Sequence, residues 1–333
     1  MARRTIRLAV DPDRPVRAVN RVLSPASLRL LAKRALRVSA VGEVVRTIAA
    51  ARGRSLVLAY HRVAAGEPAD PEVVPTVPGG LFQRQLEALA EVGDIEPLDV
   101  VLQHRDRHAR PMFALTFDDD YLTHVEEALP VLQALAVPAT FFLSGRALHG
   151  LGSYWFEVLE RLVAVGSVDQ VSRMLHLRGG GGFDALISAC ESDTSLQRIV
   201  EAEGSEAPLH LDRSNIQALS NAGMSVGFHT LHHEILTRLD DDELDAALTF
   251  GRGTLERIIG RPLSYFAYPH GKADARTAGK VRDAGYEAAW TGRPQPVHRR
   301  DDRYLLGRWE PGRLDVDDFL VGVAIRLTRR SPW

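Results

Sequence analysis

A single cysteine, Cys190, in 333 residues rules out any disulfide within the chain and fits a reducing compartment. An excess of one charge sign is equally lacking: the formal net charge is -2, so nothing points to nucleic acid or another polyanionic partner. No apolar run approaches the roughly 18 residues of a membrane span, so no integral membrane segment is expected. The N-terminus starts basic, but its apolar stretch ends at once in Asp11-Pro12-Asp13-Arg14, too short for a secretory leader. A soluble, cytoplasmic chain is the expectation. The only glycine cluster, Gly179 to Gly182, is followed by no Lys-Ser/Thr pair, which excludes a phosphate-cradling loop there.

What the chain does contain is 45% hydrophobic residues and a length suited to one large α/β domain with extensions. Short β-branched and aromatic runs at Ser55–Tyr60, Met112–Leu115, Ala139–Leu143, Ser225–Phe228, Ser264–Tyr268 and Ala288–Trp290 alternate with helical spacing. Such alternation implies a parallel sheet, open or closed into a barrel. Helices are expected over 82–92, from the Thr123/Glu126 pair through Leu135, over 211–219, over 240–259 as one long helix, and over 274–284. Residues 1–50 read as a separate helical extension, packed on the main domain or, as a basic amphipathic helix, against a membrane surface. Residues 150–215 read as an insertion with one clear amphipathic helix around Trp155, Leu159, Leu162 and Val163.

The chemistry centres on Leu115-Thr116-Phe117-Asp118-Asp119-Asp120-Tyr121. A buried run ending in three carboxylates needs a metal ion, a basic partner, or exposure on a capping loop. Two later stretches favour the metal: Gly227-Phe228-His229-Thr230-Leu231-His232-His233 and Tyr265-Phe266-Ala267-Tyr268-Pro269-His270-Gly271. One carboxylate and two imidazoles are a common ligand set for a catalytic divalent metal. Spacing leaves the imidazole pair open, since His229 can share a helical face with His233 or with His232. His61, Asp118, Asp119, His229 and His270 all fall at C-terminal strand ends, where parallel α/β enzymes keep their chemistry.

In this order the three stretches resemble the NodB-like polysaccharide deacetylases, carbohydrate esterase family 4. The resemblance runs from about Leu56 to Trp309. It implies a distorted (β/α)7 barrel of the NodB type, residues 51–333, carrying the N-terminal helical extension 1–50 and the helical insertion 150–215. It implies a hydrolase of N-acetyl groups on an amino-sugar polymer or glycan precursor, with a divalent metal, zinc first. By resemblance Asp119, His229 and His233 are the ligands, Asp118 the general base, and the loop of His270 helps stabilise the oxyanion. His61, Tyr121 and Arg308 are the expected substrate contacts. Two other functions suit the same residues: hydrolysis of another C–N bond in a small ureide or imide, and sugar binding without turnover.

Three departures from the family pattern stand out. Asp120 replaces a glycine that often marks positive φ, and adds a charge beside the metal. Ala267 stands where many relatives carry an arginine that orients the base. The C-terminal Leu-x-His segment that supplies the general acid is absent, leaving His61, His124 and His298 as candidates. The insertion leaves the domain after Ser144-Gly145, at the C-terminal end of a strand, so it should cover the substrate end. The alternative is a helical patch on the barrel's flank.

Overall fold

The computed structural model describes residues 42–43, 55–66, 71–103, 110–177, 181–204, 210–298 and 300–328. The expected helical extension over 1–50 lies outside the described residues save Gly42 and Glu43, as does most of the 178–181 linker. Strands β1 (Ser55–Tyr60), β4 (Asp94–Ile95), β5 (Met112–Asp118), β6 (Thr140–Leu143), β7 (Ser225–Phe228), β8 (Tyr265–Ala267) and β9 (Ala288–Trp290) form one sheet. Its order is β1-β5-β6-β7-β8-β9, with β4 beside the start of β5, and every pairing is parallel. All residues of β1 and β5 are buried, as expected of strands covered on both faces. β2 (Arg62–Ala64) and β3 (Thr76–Pro78) make a small separate pair above β1.

The sheet curls into the expected distorted (β/α)7 barrel, and the gap between β9 and β1 is bridged by Leu306 to Trp309. Leu306 pairs with Trp290 and Trp309 with Leu58, both parallel. The Trp309 N–H donates to the Val57 carbonyl and the Ala59 N–H to the Trp309 carbonyl, both at 2.9 Å. Registers Tyr60↔Phe117, Asp118↔Phe142 and Leu143↔Phe228 bring the C-terminal ends to one rim. Around the sheet lie α1 (Gly79–Val92), α2 (Leu98–Gln103), α3 (Leu129–Leu135), α8 (Arg213–Asn221), α9 (Asp241–Thr249), α10 (Arg252–Ile259), α11 (Ala275–Asp283) and α12 (Val316–Thr328).

Several elements differ from expectation. The long helix over 240–259 is two helices, because Gly251 adopts φ 88° between α9 and α10. Thr123 makes no side-chain cap; a wider π turn, His124–Ala128, leads into α3 instead. Helices α2 and α12 were not expected, although Val316, Phe319, Leu320, Val323 and Leu327 have helical spacing. The described residues of the insertion hold four helices where one was legible: α4 (Trp155–Val165), α5 (Val168–Met174), α6 (Phe183–Ser192) and α7 (Thr194–Ala202). Three turns or fewer give too short a period to stand out. These helices share their own apolar core around Trp155, Leu159, Leu186, Cys190 and Val200. No helix among the described residues is long and apolar enough to cross a membrane.

Candidate functional site

At the rim, β5 ends in Asp118 and the chain turns sharply through Asp119, whose φ is 69°. Left-handed backbone is rare outside glycine and clusters where a site demands it. Six such residues occur among those described, and four of them, Asp119, Thr230, His233 and His270, belong to the three motif stretches. The positive φ thus sits at Asp119 and not at Asp120, the position where a glycine was expected.

Asp119, His229 and His233 converge, with one ligand atom from each within 4.8 Å of the others. Asp119 Oδ1 lies 3.8 Å from His229 Nε2 and 3.6 Å from His233 Nε2, and has no hydrogen-bond partner. The His229 Nδ1–H donates to the Ala267 carbonyl at 2.8 Å, which leaves the Nε2 lone pair aimed at Asp119. The left-handed turn at His233, with its N–H held by Thr230 Oγ1 at 3.1 Å, selects His233 for the site; His232 is exposed on the other side. Burial pushes the Asp119 carboxyl up to about 7, with His61 opposing and Asp118 and Asp120 adding to the rise. Burial also lowers His229, to about 4, and His233 well below its ordinary value. A desolvated carboxylate oxygen without a partner, facing two neutral imidazoles, fits a divalent cation well.

Asp118 is held differently. Its two oxygens each accept from the Arg308 guanidinium at 2.6 Å, and Arg308 also donates to Thr116 Oγ1 at 3.2 Å. Burial would raise the Asp118 carboxyl, but Arg308, then His229 and His61, hold it well below the carboxylate range. Arg308 therefore pairs with Asp118 in this chain, where Ala267 brings no charged side chain.

Asp120 has both of its oxygens engaged elsewhere. Its Oδ1 accepts the Ser144 N–H at 2.9 Å and its Oδ2 the Arg146 N–H at 2.8 Å. It ties the loop after β6 to the end of β5.

A cleft of about 370 Å³ opens above this floor. His61, Asp118, Asp119, His229, His233, His270 and Arg308 line it, together with Trp155, Phe156 and Glu191 from the insertion and Glu310 beyond the seam. The Tyr154 and Phe156 rings each lie 5.5 Å from that of His233, so the insertion covers the site and not merely the barrel's flank. His61 Nδ1 lies 2.9 Å from Glu310 Oε1, and its Nε2 4.0 Å from Asp118. Burial lowers His61, but Glu310, with Asp118 and Asp119, together push the imidazole up to about 9. His270 has a buried Nε2 without a partner, its Nδ1 is 3.8 Å from Glu191, and its ring is 4.6 Å from His233.

Other expected residues lie elsewhere. Tyr121 is outside the cleft lining; it packs in the insertion's core, its ring under Arg62, and pairs with His210. His124 is buried beneath the site, where its Nε2–H donates to the carbonyls of Asp118 and Asp119. His298 is not among the lining residues. Of the three histidine candidates for the acid, only His61 reaches the cleft. Glu191 and Glu310 were missed, since a lone glutamate on a short helix or past a strand carries no local signal.

The profile of the polysaccharide deacetylase family matches residues 105–289, more than half of the chain. Among solved structures, the Streptococcus pyogenes deacetylase PplD, in complex with acetate, superposes with a TM-score of 0.58 at 16% identity, over 83% of this chain and 99% of that one. IcaB from Ammonifex degensii matches with a TM-score of 0.54 at 20% identity, over 84% and 99%. A polysaccharide deacetylase from Bacillus cereus matches at 0.54 and 17%, over 81% and 69%. At these identities the likeness is one of fold. No curated protein matches the chain in sequence.

Proposed function

The chain belongs to the polysaccharide deacetylase family, hydrolases of carbon–nitrogen bonds, and on that premise we propose that it removes N-acetyl groups from an amino-sugar polymer or glycan precursor. The observation that carries this reading is the convergent Asp119, His229 and His233 set directly beside an arginine-held Asp118. Asp119, His229 and His233 would hold a divalent ion, zinc by donor type. Such an ion supplies Lewis acidity to the amide carbonyl and to the attacking water.

The chain's own residues do the rest. Asp118 takes the proton of the attacking water on a lone pair that Arg308 leaves free. Arg308 fixes the carboxylate plane and keeps Asp118 ionised, ready to accept. His270 brings an unpartnered imidazole nitrogen to the side of the developing oxyanion. His61, held by Glu310, is the cleft's one ready proton donor to the leaving amine. Trp155 and Phe156 exclude water and present apolar faces to the sugar. In this reading residues 51–333 form one catalytic domain, 150–215 its inserted cover, and 1–50 an extension.

The test is acetate release from N-acetylglucosamine oligomers, set against ureide hydrolysis. Asp118→Asn should keep one bound ion per chain and lose at least about a hundredfold in kcat, as expected of a missing general base. His229→Ala should lose the ion, read by elemental analysis. An Asp118→Asn protein stripped of metal would make Asp118 a ligand, and an ion retained by His229→Ala would overturn the ligand set.

A further inference from the structure

A second cavity, about 600 Å³, lies behind the candidate metal site. Its walls come from α7 of the insertion, from the loop that carries His233, and from the end of α9. The two pockets share that loop. His233 faces the cleft, while its neighbours His232 and Glu234 line the second cavity. The left-handed backbone at His233, φ 57°, is what sends adjacent side chains to opposite sides. Glu191 spans the divide in the same way: its side chain lines the cleft, and its carbonyl accepts from Arg238 in the second cavity.

The lining has a distinct chemistry. Of the exposed large apolar side chains among the described residues, Phe250 alone is aromatic, and it is 58% exposed at the mouth of this cavity. Its ring lies nearly parallel to that of His232, 11° apart, and the His149 ring is 5.7 Å away. Single exposed hydrophobes are ordinary, but this one is held by two rings beside a polar cavity. Three arginines, Arg146, Arg198 and Arg238, face three glutamates, Glu201, Glu234 and Glu243. Arg198 is exposed and makes no ion pair among the described residues, and Glu234 Oε2 is buried without a hydrogen-bond partner.

We propose that this cavity is a secondary glycan subsite that holds a further stretch of the same amino-sugar chain, outside the catalytic cleft. The balanced charges favour neither a polyanion nor a polycation. Arg146 already pairs with Glu201 at 3.4 Å and Arg238 with the Glu191 carbonyl, so the open polar groups are Arg198, a donor, and Glu234, an acceptor. These suit a neutral, hydroxyl-rich ligand, and Phe250 offers a flat apolar face to the C–H side of a pyranose ring. The volume lies within the roughly 300–1,000 Å³ of small-ligand pockets. A polymer seated here and in the cleft gains effective concentration at the site without any change in the chemical step. The inference rests on the amino-sugar reading above.

The experiment is steady-state deacetylation of N-acetylglucosamine oligomers of increasing length by the metal-loaded full chain, by Phe250→Ala and by Arg198→Ala. Both side chains are exposed, so both variants should fold as the wild type does. Wild-type KM should fall as the oligomer lengthens. Each variant should lose that gain, with KM for long oligomers raised roughly tenfold, the size of one anchoring contact, and kcat unchanged. Turnover of the shortest substrate should be unaltered. Variants that keep the wild-type length dependence would overturn the subsite and leave the deacetylase reading standing. A wild type that releases acetate from no oligomer would overturn both.

Discussion

Asp120 illustrates how a single side chain changes meaning once its partners are known. On composition it is a third negative charge crowding a metal. In the fold its carboxylate is an internal cap for two buried N–H groups, those of Ser144 and Arg146. Asp119 takes the left-handed conformation that a glycine would otherwise be needed for. Restoring the family's glycine by Asp120→Gly should therefore cost roughly 2–4 kcal/mol, since two buried donors lose an ionised acceptor. Denaturant unfolding measures this, and elemental analysis should show the bound ion retained. A stabilised variant would contradict the capping role.

Polar locks along α4 fasten the insertion to the barrel, directly through Glu160 and Tyr154 and indirectly through His210, whose segment pairs with Tyr121. Glu160 takes both Arg62 and the N–H groups of Val73 and Val74, which fixes the loop forming one cleft wall. Tyr154 donates its hydroxyl to Ser144 at 2.9 Å. Glu157 Oε2 accepts from His210 Nε2 at 2.8 Å and from the Tyr154 N–H. Burial opposes charge on both Glu157 and His210, yet their mutual hydrogen bond prevails, lowering the glutamate and raising the histidine. The glutamate's contribution is complete above its unfolded value, about 4.3, and is lost as pH falls through its depressed folded value. The histidine's is complete below about 6.5 and is lost as pH rises through its raised folded value. Docking of α4 should thus be tightest between those two values. His210→Gln should loosen the insertion by roughly 3–5 kcal/mol, the cost of breaking a buried pair, and flatten its alkaline pH dependence. Limited proteolysis within 155–202 across the pH range checks this; equal cutting at every pH would refute it.

The barrel as a whole depends on its seam. Leu306 to Trp309 carries no regular strand, yet it joins β9 to β1 and delivers Arg308 to Asp118 from 190 residues away. Gly307 is required there by space: a Cβ would meet Gln295 Cγ at 2.3 Å and the Arg293 carbonyl at 2.7 Å. Gly307→Ala should push the seam outward, cost roughly 1–3 kcal/mol as overpacking does, and lower kcat by moving Arg308. Ion content should hold, because Asp119, His229 and His233, which would hold the ion, lie in the loops after β5 and β7 and not on the seam. Thermal unfolding and an activity assay test this together, and an unshifted Tm would mean that the seam is not under this constraint.

What could be read from the chain was whatever is encoded over a few neighbours. Strand runs, their alternation with helices, and the three stretches Thr116 to Tyr121, His229 to His233 and Pro269 to Gly271 are all local patterns. They were enough for the parallel α/β class and for the carboxylate and imidazoles that converge at the strand ends. Spacing alone left His232 and His233 open and the family resemblance chose His233; why His233 and not His232 turns to the site is explained by the left-handed backbone there. The partner of Asp118 needed the curl of the sheet, since no periodicity links Thr116 to Arg308. Glu310 beside His61 and Glu191 beside His270 reach the cleft for the same reason. A strand's sequence specifies that it will be buried and which way it runs. Which distant side chains share its end is set by how the strands close, a property of the whole sheet that no short stretch contains.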